Sequence, residues 1–487
     1  VFTTAVVLAV VAIWGCAREK SLPSLRIAYP HDLVTMDPHA HADKITGVVL
    51  SAVYEGLVRL EPGQPLKPGL SDRWTTPDEL TWWVHVRDGV RFHDGTRLTP
   101  DDVVASIERA RASRILGHQL DEIDRVKVLE GNERTIEITT QRPAPLLLTR
   151  LESVAIVPRQ FDPAQPVGTG PYRWRIGSVQ GPVVLERWHD YWARSPDFDE
   201  VTIEFSSTLE ELADLIQQDK LDVVGCLSSS FIRGHQPVPS WRVVAMPTVA
   251  TAYLGINLTR PPLDDLRVRQ AIDDAIDRKA LVSEVYPEGL AKPATSLVSP
   301  EVFGFSPLHR RQEPDLARAR RLLAEAETEP ETRLFLDYQE NYAPVVENLV
   351  RALAEVGIVV EPRRHQYDVF YRRIETAEND LFLFSWNYRI ADASPFLDAF
   401  VHSRDPLRGL GSFNGAMIRD DGLDRMIEAA AHETRSEARL EMLQLALADV
   451  GAVHAYLPLY QTATLALVRE PFSFVGTRAR PQDVRVR

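Results

Sequence analysis

Hydrophobic and polar positions sort this chain into two kinds of segment. Short β-rich runs occupy Ser24 to Tyr29, Trp82 to Val86, Val126 to Leu129, Thr135 to Thr139, Val183 to Glu186 and Val201 to Phe205, with turn pairs such as Asp88-Gly89 and Asp94-Gly95 nearby. These predict strands. Helical periodicity marks Asp101 to Ala112, Thr208 to Gln218, Arg267 to Val285, Asp315 to Ala326, Ala343 to Val356 and Asp424 to Val450. Thr99-Pro100-Asp101-Asp102 places a hydroxyl cap, a first-turn proline and two carboxylates where exposed N–H groups and the helix dipole favour them. Strands and helices alternate, which predicts a mixed α/β architecture. No period of about 20 to 50 residues recurs, so a solenoid or propeller is not expected.

Length changes the picture first. With 487 residues, the chain is long enough for two or three packed units. Apolar residues make up 44% and charged residues 25%, values of a folded, water-facing protein. Lys and Arg number 55 against 69 Asp and Glu, and the net charge of −14 repels phosphate backbones, so nucleic acid is not an expected partner. The two cysteines, Cys16 and Cys226, cannot build a disulfide framework or a four-thiolate zinc site. Cys226 lies in an apolar context and is expected to be a buried thiol.

Val1 to Gly15 carries no charge, and the chain turns polar abruptly after Cys16. The run is shorter than the roughly 20 residues that span a bilayer core and suits the h-region of a signal peptide. Ile13-Trp14-Gly15-Cys16 resembles a bacterial lipobox. That resemblance implies a signal segment at 1–16, acylation of Cys16, and a lipid anchor on the outer side of the cytoplasmic membrane, in the periplasm or at the cell surface. An ordinary signal peptide is the alternative.

Motifs then recur in a fixed order. Leu33-Val34-Thr35-Met36-Asp37-Pro38, Val53-Tyr54-Glu55-Gly56-Leu57 and Pro68 to Trp74 lead into Val86-Arg87-Asp88-Gly89-Val90-Arg91-Phe92-His93-Asp94-Gly95-Thr96 and Leu98 to Val103. Gly168-Thr169-Gly170-Pro171-Tyr172, Leu185-Glu186-Arg187, Tyr191-Trp192 and Leu221 to Val224 follow. Tyr253 to Leu258, Val268 to Ile272, Ala275 to Arg278, Ser385-Trp386, Pro395-Phe396-Leu397 and Tyr456-Leu457-Pro458-Leu459-Tyr460 complete the series. Together they resemble the family 5 solute-binding proteins of ABC importers, the oligopeptide, dipeptide and nickel-binding group.

The resemblance implies a bilobed, periplasmic-binding-protein type II-like α/β fold with an additional inserted domain. Lobe I would comprise 24–59, 166–250 and 458–487, the insert 60–165 and lobe II 251–457. It implies a monomer that captures a peptide or other small polar solute in an interlobe cleft and delivers it to ABC permease subunits, with no cofactor and no bound metal. The cleft would close by population shift, because a ligand favours the shut form only through its differential affinity for it.

Peptide-binding members carry an aspartate three residues after the equivalent of Trp386, where it pairs with the ligand's α-ammonium. Here that position is Arg389. A buried arginine facing an ammonium loses desolvation energy without compensation, so a free peptide amine is not expected there. Arg389 is instead expected to favour a carboxylate, phosphate or sugar hydroxyl through its planar fork. Pairing of Arg389 with Asp392, or an amine-binding role for Asp392 itself, stays open. Trp386 is expected to stack on the solute, with Asn387 and Tyr388 adding polar contacts and Tyr253 and Asn257 reaching the cleft from a crossover. The backbone of Leu33 to Met36 is expected to pair with an extended ligand.

Several residues have plainer roles. His93 is expected to be a hydrogen-bonded structural residue, Gly168 to Tyr172 a tight passage between lobes, and Arg269, Asp277 and Arg278 a solvated or locally paired helix face. Gly-x-Ser-x-Gly, His-Glu-x-x-His, P-loop and dinucleotide glycine motifs are lacking, so an enzyme is not expected. His39-Ala40-His41 would put two imidazoles on one face of a strand and supports a metal or metal-chelate binder as a second possibility. A non-transport ligand sensor is a third.

Overall fold

The computed structural model describes residues 24–61, 66–206, 208–227, 232, 239–307, 313–328, 332–388, 390–475 and 479–486. Cys16 with its flanking segment, and Arg389, lie outside the described residues.

β1 (Ser24–Tyr29) is followed by α1 (Lys44–Leu50). A separate four-stranded antiparallel sheet then forms from β2 (Ser71–Asp78), β3 (Thr81–Val86), β4 (Ile123–Val128) and β5 (Thr135–Thr140), in the order β2-β3-β5-β4. α2 (Pro100–Arg111) packs on it, burying Val103, Ile107 and Ala110 against Val84, Val86, Ile136 and Ile138. Its start is the capping box that the sequence predicts, with Thr99 and Asp102 each bonding the other's backbone N–H.

The chain returns through β6 (Tyr172–Ile176), β7 (Val183–Arg187), β8 (Glu200–Phe205), α3 (Leu209–Gln217) and β9 (Val223–Leu227). The long strand β10 (Trp241–Ile256) leads to α4 (Leu266–Ala275), α5 (Arg278–Val285), the short β11 (Ala291–Pro293) and α6 (Leu316–Glu325). Three parallel strands with helices follow: β12 (Thr332–Gln339), α7 (Ala343–Ala354), β13 (Ile358–His365), α8 (Tyr367–Thr376) and β14 (Leu381–Asn387). α9 (Asp421–His432), α10 (Ser436–Ala452) and the long β15 (Tyr456–Arg469) bring the chain back.

One 11-stranded sheet ties these together in the order β13-β12-β14-β10-β15-β9-β1-β8-β7-β6, with β11 on β15. β10 and β15 lie side by side in that order, β10 pairing with β14 of a second lobe (β12–β14) and β15 with β9 of a first lobe (β1, β6–β9), so these two long strands are the crossovers between the lobes. In the second lobe, successive residues alternate between two cores. Leu254, Ile256, Leu381 and Leu383 enter one, while Tyr253, Phe382 and Phe384 enter the other. Helices cover both faces, and the expected bilobed mixed α/β fold is the observed one.

Two long predicted helices are broken. Arg267 to Val285 splits because the Asp277 side chain caps a new start by accepting from Ala280 N at 2.8 Å. Asp424 to Val450 splits where Glu433 and Arg435 turn extended, with Glu433 Oε1 accepting from Arg435 N at 2.8 Å. Arg269 is not on a solvated face. It is buried and donates to the carbonyls of Val453, Leu263 and Asp264. Arg278 is buried too, reaching Pro458 O at 2.7 Å on β15.

Candidate functional site

The strand directions define the site. β1, β8 and β9 run parallel, and β9 ends at Leu227 beside Leu465 of β15. From the other lobe, β12, β13 and β14 run parallel, and β14 ends at Asn387 opposite Ala250 of β10. The carboxyl ends of both sets therefore face one another across the stretch where the β10–β15 register shifts, between Pro247 and Thr251. In parallel α/β sheets, ligands bind beyond the carboxyl ends of strands, because helix starts and loop N–H groups gather there. His31, Asp32 and Val34 are exposed on one side of this gap, and Ser385 and Asn387 on the other.

Trp386 sits opposite Thr251, half-buried, with its ring 5.1 Å from Phe400. Its Nε1 is buried and has no hydrogen-bond partner among the described residues. Ser385 beside it accepts from the Tyr342 hydroxyl at 2.8 Å. Asn387 is exposed at the strand end. These residues come together at the gap.

The others do not open onto it. Tyr253 is fully buried, stacked on Phe384 at 5.2 Å and Phe396 at 5.3 Å. Its hydroxyl bonds Leu297 O and lies 2.6 Å from that of Tyr388, itself 1% exposed. Burial pushes both phenols up, so both stay protonated. Asn257 is also fully buried. Its amide donates to Asn379 O at 3.0 Å and accepts from Thr259 N at 3.0 Å. Asp392 is buried and engaged by Nη1 and Nη2 of Arg439, at 2.7 and 2.9 Å. Tyr253, Tyr388, Asn257 and Asp392 are therefore supports of the loop rather than groups presented to a solute. The backbone expected to pair with a ligand is partly committed as well, since Val34 N donates to Thr46 Oγ1 at 3.0 Å.

The paired imidazoles are corrected. His39 lies in a turn and His41 in the irregular chain after it, neither in a strand. His39 is 2% exposed, donates from Nε2 to Ala155 O at 2.8 Å and accepts at Nδ1 from Arg109 at 2.8 Å. Burial pulls its pKa down to about 4, so it is neutral with both nitrogens used. Among the described residues, no group of three or more His, Cys, Asp or Glu side chains is placed to hold a metal ion. Cys226 is half-buried and unpaired, and burial pushes its thiol up.

Three separate motifs meet at one carboxylate, a convergence that sequence order hides. Glu55 accepts from Thr169 Oγ1 at 3.1 Å, Trp192 Nε1 at 2.8 Å and the Tyr191 hydroxyl at 2.9 Å. His93 joins the same passage as a structural residue. Its Nε2 donates to Gly170 O at 3.0 Å, and Gly168 N donates to its Nδ1 at 3.3 Å. Burial lowers its pKa to about 4.

The family description "Bacterial extracellular solute-binding proteins, family 5 Middle" matches residues 65–406. The chain is 23% identical over 387 residues to the dipeptide-binding protein of Escherichia coli K12, covering 71% of this chain and 72% of that one. It is 27% identical over 351 residues to the glutathione-binding protein GsiB of Escherichia coli O1:K1 / APEC, covering 68% and 67%. The fold superposes on the ABC transporter substrate-binding protein CtaP of Listeria monocytogenes with a TM-score of 0.84, at 20% identity, covering 95% of this chain and 99% of that one. With the match spanning most of a fold whose two crossover strands join facing lobes, the chain belongs to the bacterial extracellular solute-binding proteins, family 5.

Proposed function

We propose that this protein is the extracytoplasmic solute-binding component of an ABC importer, capturing a peptide or another small polar solute between its lobes and delivering it to the permease. Its task is binding rather than catalysis. Trp386, Asn387 and Arg389 make the contact loop of lobe II, and the segment after β1 closes against them from lobe I. On this proposal lobe I comprises 24–59, 166–250 and 458–487, the insert 60–165, and lobe II 251–457.

The observation that carries it is the Trp386 Nε1, a buried donor with no partner among the described residues, at the strand ends that face across the crossover. An unmade bond at such a donor costs roughly 1–3 kcal/mol, which an acceptor atom of a solute, or a water bound with it, offsets. Arg389 favours a carboxylate, phosphate or sugar hydroxyl. Engagement of Asp392 by Arg439 supports this, since it removes that acid as a partner for a ligand ammonium. Calorimetry of peptides and acidic solutes on wild type and Arg389→Ala tests the preference. Acidic solutes should lose about tenfold or more in the variant, and unchanged affinities overturn the anion preference. Native mass spectrometry of protein from its own host identifies the cargo.

The apolar run before Cys16 supports a lipid anchor at that residue, holding a monomer on the outer side of the cytoplasmic membrane. Acylated Cys16 in the membrane fraction, and release by Cys16→Ala, are the expected results. Among the described residues, no helix is long and apolar enough to cross a membrane.

A further inference from the structure

The insert is joined to the two lobes in different ways. Toward lobe I it is welded. Its apolar core takes in Leu57 and Val58, Arg109 Nη1 of α2 donates to Asp37 at 2.9 Å, His39 Nε2 donates to Ala155 O at 2.8 Å, and His93 Nε2 donates to Gly170 O at 3.0 Å. Among the described residues, no apolar cluster joins the insert to lobe II. An element that shares a core with one lobe and meets the other through polar contacts alone moves with the first when the lobes turn.

The contacts with lobe II gather where α9 turns into α10. His432 Nδ1, at the end of α9, donates to Pro143 O at 2.9 Å. Thr434, exposed in the turn between the helices, faces Asp78, Glu79, Trp82 and Pro145 of the insert across a groove of about 350 Å³. Arg435 is held first by Glu433, at 2.8 Å, and is drawn in smaller part by the charge of Glu79. Half-buried Asp398 of lobe II faces Arg150 and Glu122 of the insert. A groove bridged by a few polar groups parts at small cost, whereas a packed apolar interface does not.

This corner is tied to the Trp386 loop. Arg439 Nε donates to Ala430 O at 3.0 Å, two residues before His432, and the same guanidinium holds Asp392 and Ser394 beyond Trp386. We propose, resting on the reading of the two lobes as a closing cleft, that the insert is part of the closing jaw: carried on lobe I, it clasps the α9–α10 corner of lobe II when the lobes shut. The clasp exists only in the shut form, so it raises the population that holds solute tightly without touching solute itself.

Pulsed dipolar spectroscopy on the full chain without added solute tests this, with labels carried by unnatural amino acids at exposed Gln180 in lobe I and Glu347 in lobe II. A lysine facing Asp78 and Glu79 attracts and an aspartate repels. Thr434→Lys should therefore raise the shut-to-open ratio and Thr434→Asp lower it, each about threefold, and roughly 1 M sodium chloride should erase the difference. His432→Ala should lower the ratio about fivefold, and His432→Gln, which keeps a donor, should restore part of it. Shifts of the same sign in the two Thr434 variants overturn the clasp, since charge across the groove must reverse the effect. Lobe distances that none of these variants changes overturn it too; hinged capture then stands if a small-molecule extract of the host cells still shifts them and falls if it does not. Thr434 is exposed in a turn, so its variants keep the fold, which a thermal melt verifies.

Discussion

Arg439 grips Asp392 with its two terminal nitrogens, Nη1 and Nη2, at 2.7 and 2.9 Å, and both side chains are buried. Arg439 also reaches Ser394 Oγ at 2.7 Å, so one residue of α10 fixes both sides of the turn that follows the Trp386 loop.

Removing one partner strands the other charge. Arg439→Ala is therefore expected to cost about 3–5 kcal/mol, far more than the median surface pair. A double replacement, Asp392→Leu with Arg439→Met, should recover most of that, because neither charge is then left alone. Urea denaturation of the three proteins checks it. A loss below about 1 kcal/mol in Arg439→Ala would show the pair to be solvated.

His39 and His93 set an acid limit. Burial, the largest cause for each, holds both near a pKa of about 4, whereas an unfolded histidine titrates near 6.5. Between these values the unfolded chain binds protons that the folded protein excludes. The stability they contribute is complete above about pH 6.5 and is lost as pH falls towards 4, by up to about 3 kcal/mol per residue. Unfolding free energies measured at pH 7.5, 5.5 and 4.5 should fall faster for wild type than for His39→Gln/His93→Gln.

Asp398 works in the opposite direction. Burial pushes its carboxyl up to about 7, against the pull of Arg150 and His402 and with the push of Asp392 and Glu122. The folded protein keeps this proton between about pH 4 and 7, after the unfolded chain has lost it. Its contribution is therefore complete at low pH and disappears as pH rises through 7. Arg150 and Glu122 belong to the segment carrying the four-stranded sheet, which also meets the second lobe where His432 Nδ1 donates to Pro143 O at 2.9 Å. Asp398→Asn is expected to gain roughly 2 kcal/mol at pH 8, after discounting for its partial exposure, and nothing at pH 4. Equal effects at the two values would rule out titration as the cause.

The Gly168 to Tyr172 passage is sterically closed to larger residues. A Cβ on Gly168 would collide with Val53 O, and one on Gly170 would come within 2.5 Å of Ala52 O. Gly170 N already donates to Val53 O at 2.9 Å, so the two segments cannot separate without losing that bond. Gly168→Ala should cost about 2 kcal/mol or more. Circular dichroism melts check this, and a neutral result would mean that the segment shifts freely.

This passage also illustrates which features sequence pattern exposes. Strands β1, β3, β4, β5, β7 and β8 have turn chemistry or patterned faces at hand, and they stand out as short runs. Buried β10, β14 and β15 were read only as motifs, because central strands covered on both faces become continuous apolar stretches without a period of two. Ser385-Trp386 was legible from spacing within a motif. Glu55 was not, since its partners Thr169, Tyr191 and Trp192 are remote in sequence and converge only through folding. Tyr253 and Asn257 look like ligand groups by residue type, yet their polar atoms serve the core.

Tyr253 and Tyr388 share one acceptor, and the consequence is measurable. The Tyr253 hydroxyl donates to Leu297 O and accepts from Tyr388, whose own oxygen lies 3.2 Å from the same carbonyl. Either phenylalanine substitution alone leaves a hydroxyl within reach of Leu297 O, so each should cost about 1 kcal/mol. The double variant leaves that buried carbonyl without either donor and should lose more than the sum of the singles, by about 1 kcal/mol. Tyr388 N also donates to Val249 O at 3.2 Å, which ties the loop to the crossover. The double variant should therefore weaken solute binding beyond either single variant, although neither hydroxyl touches solute. A thermodynamic cycle from denaturation, read beside calorimetric affinities, checks both. Strict additivity in stability would mean that the two phenols do not share the acceptor, and unchanged affinity would mean that the Trp386 loop keeps its position without them.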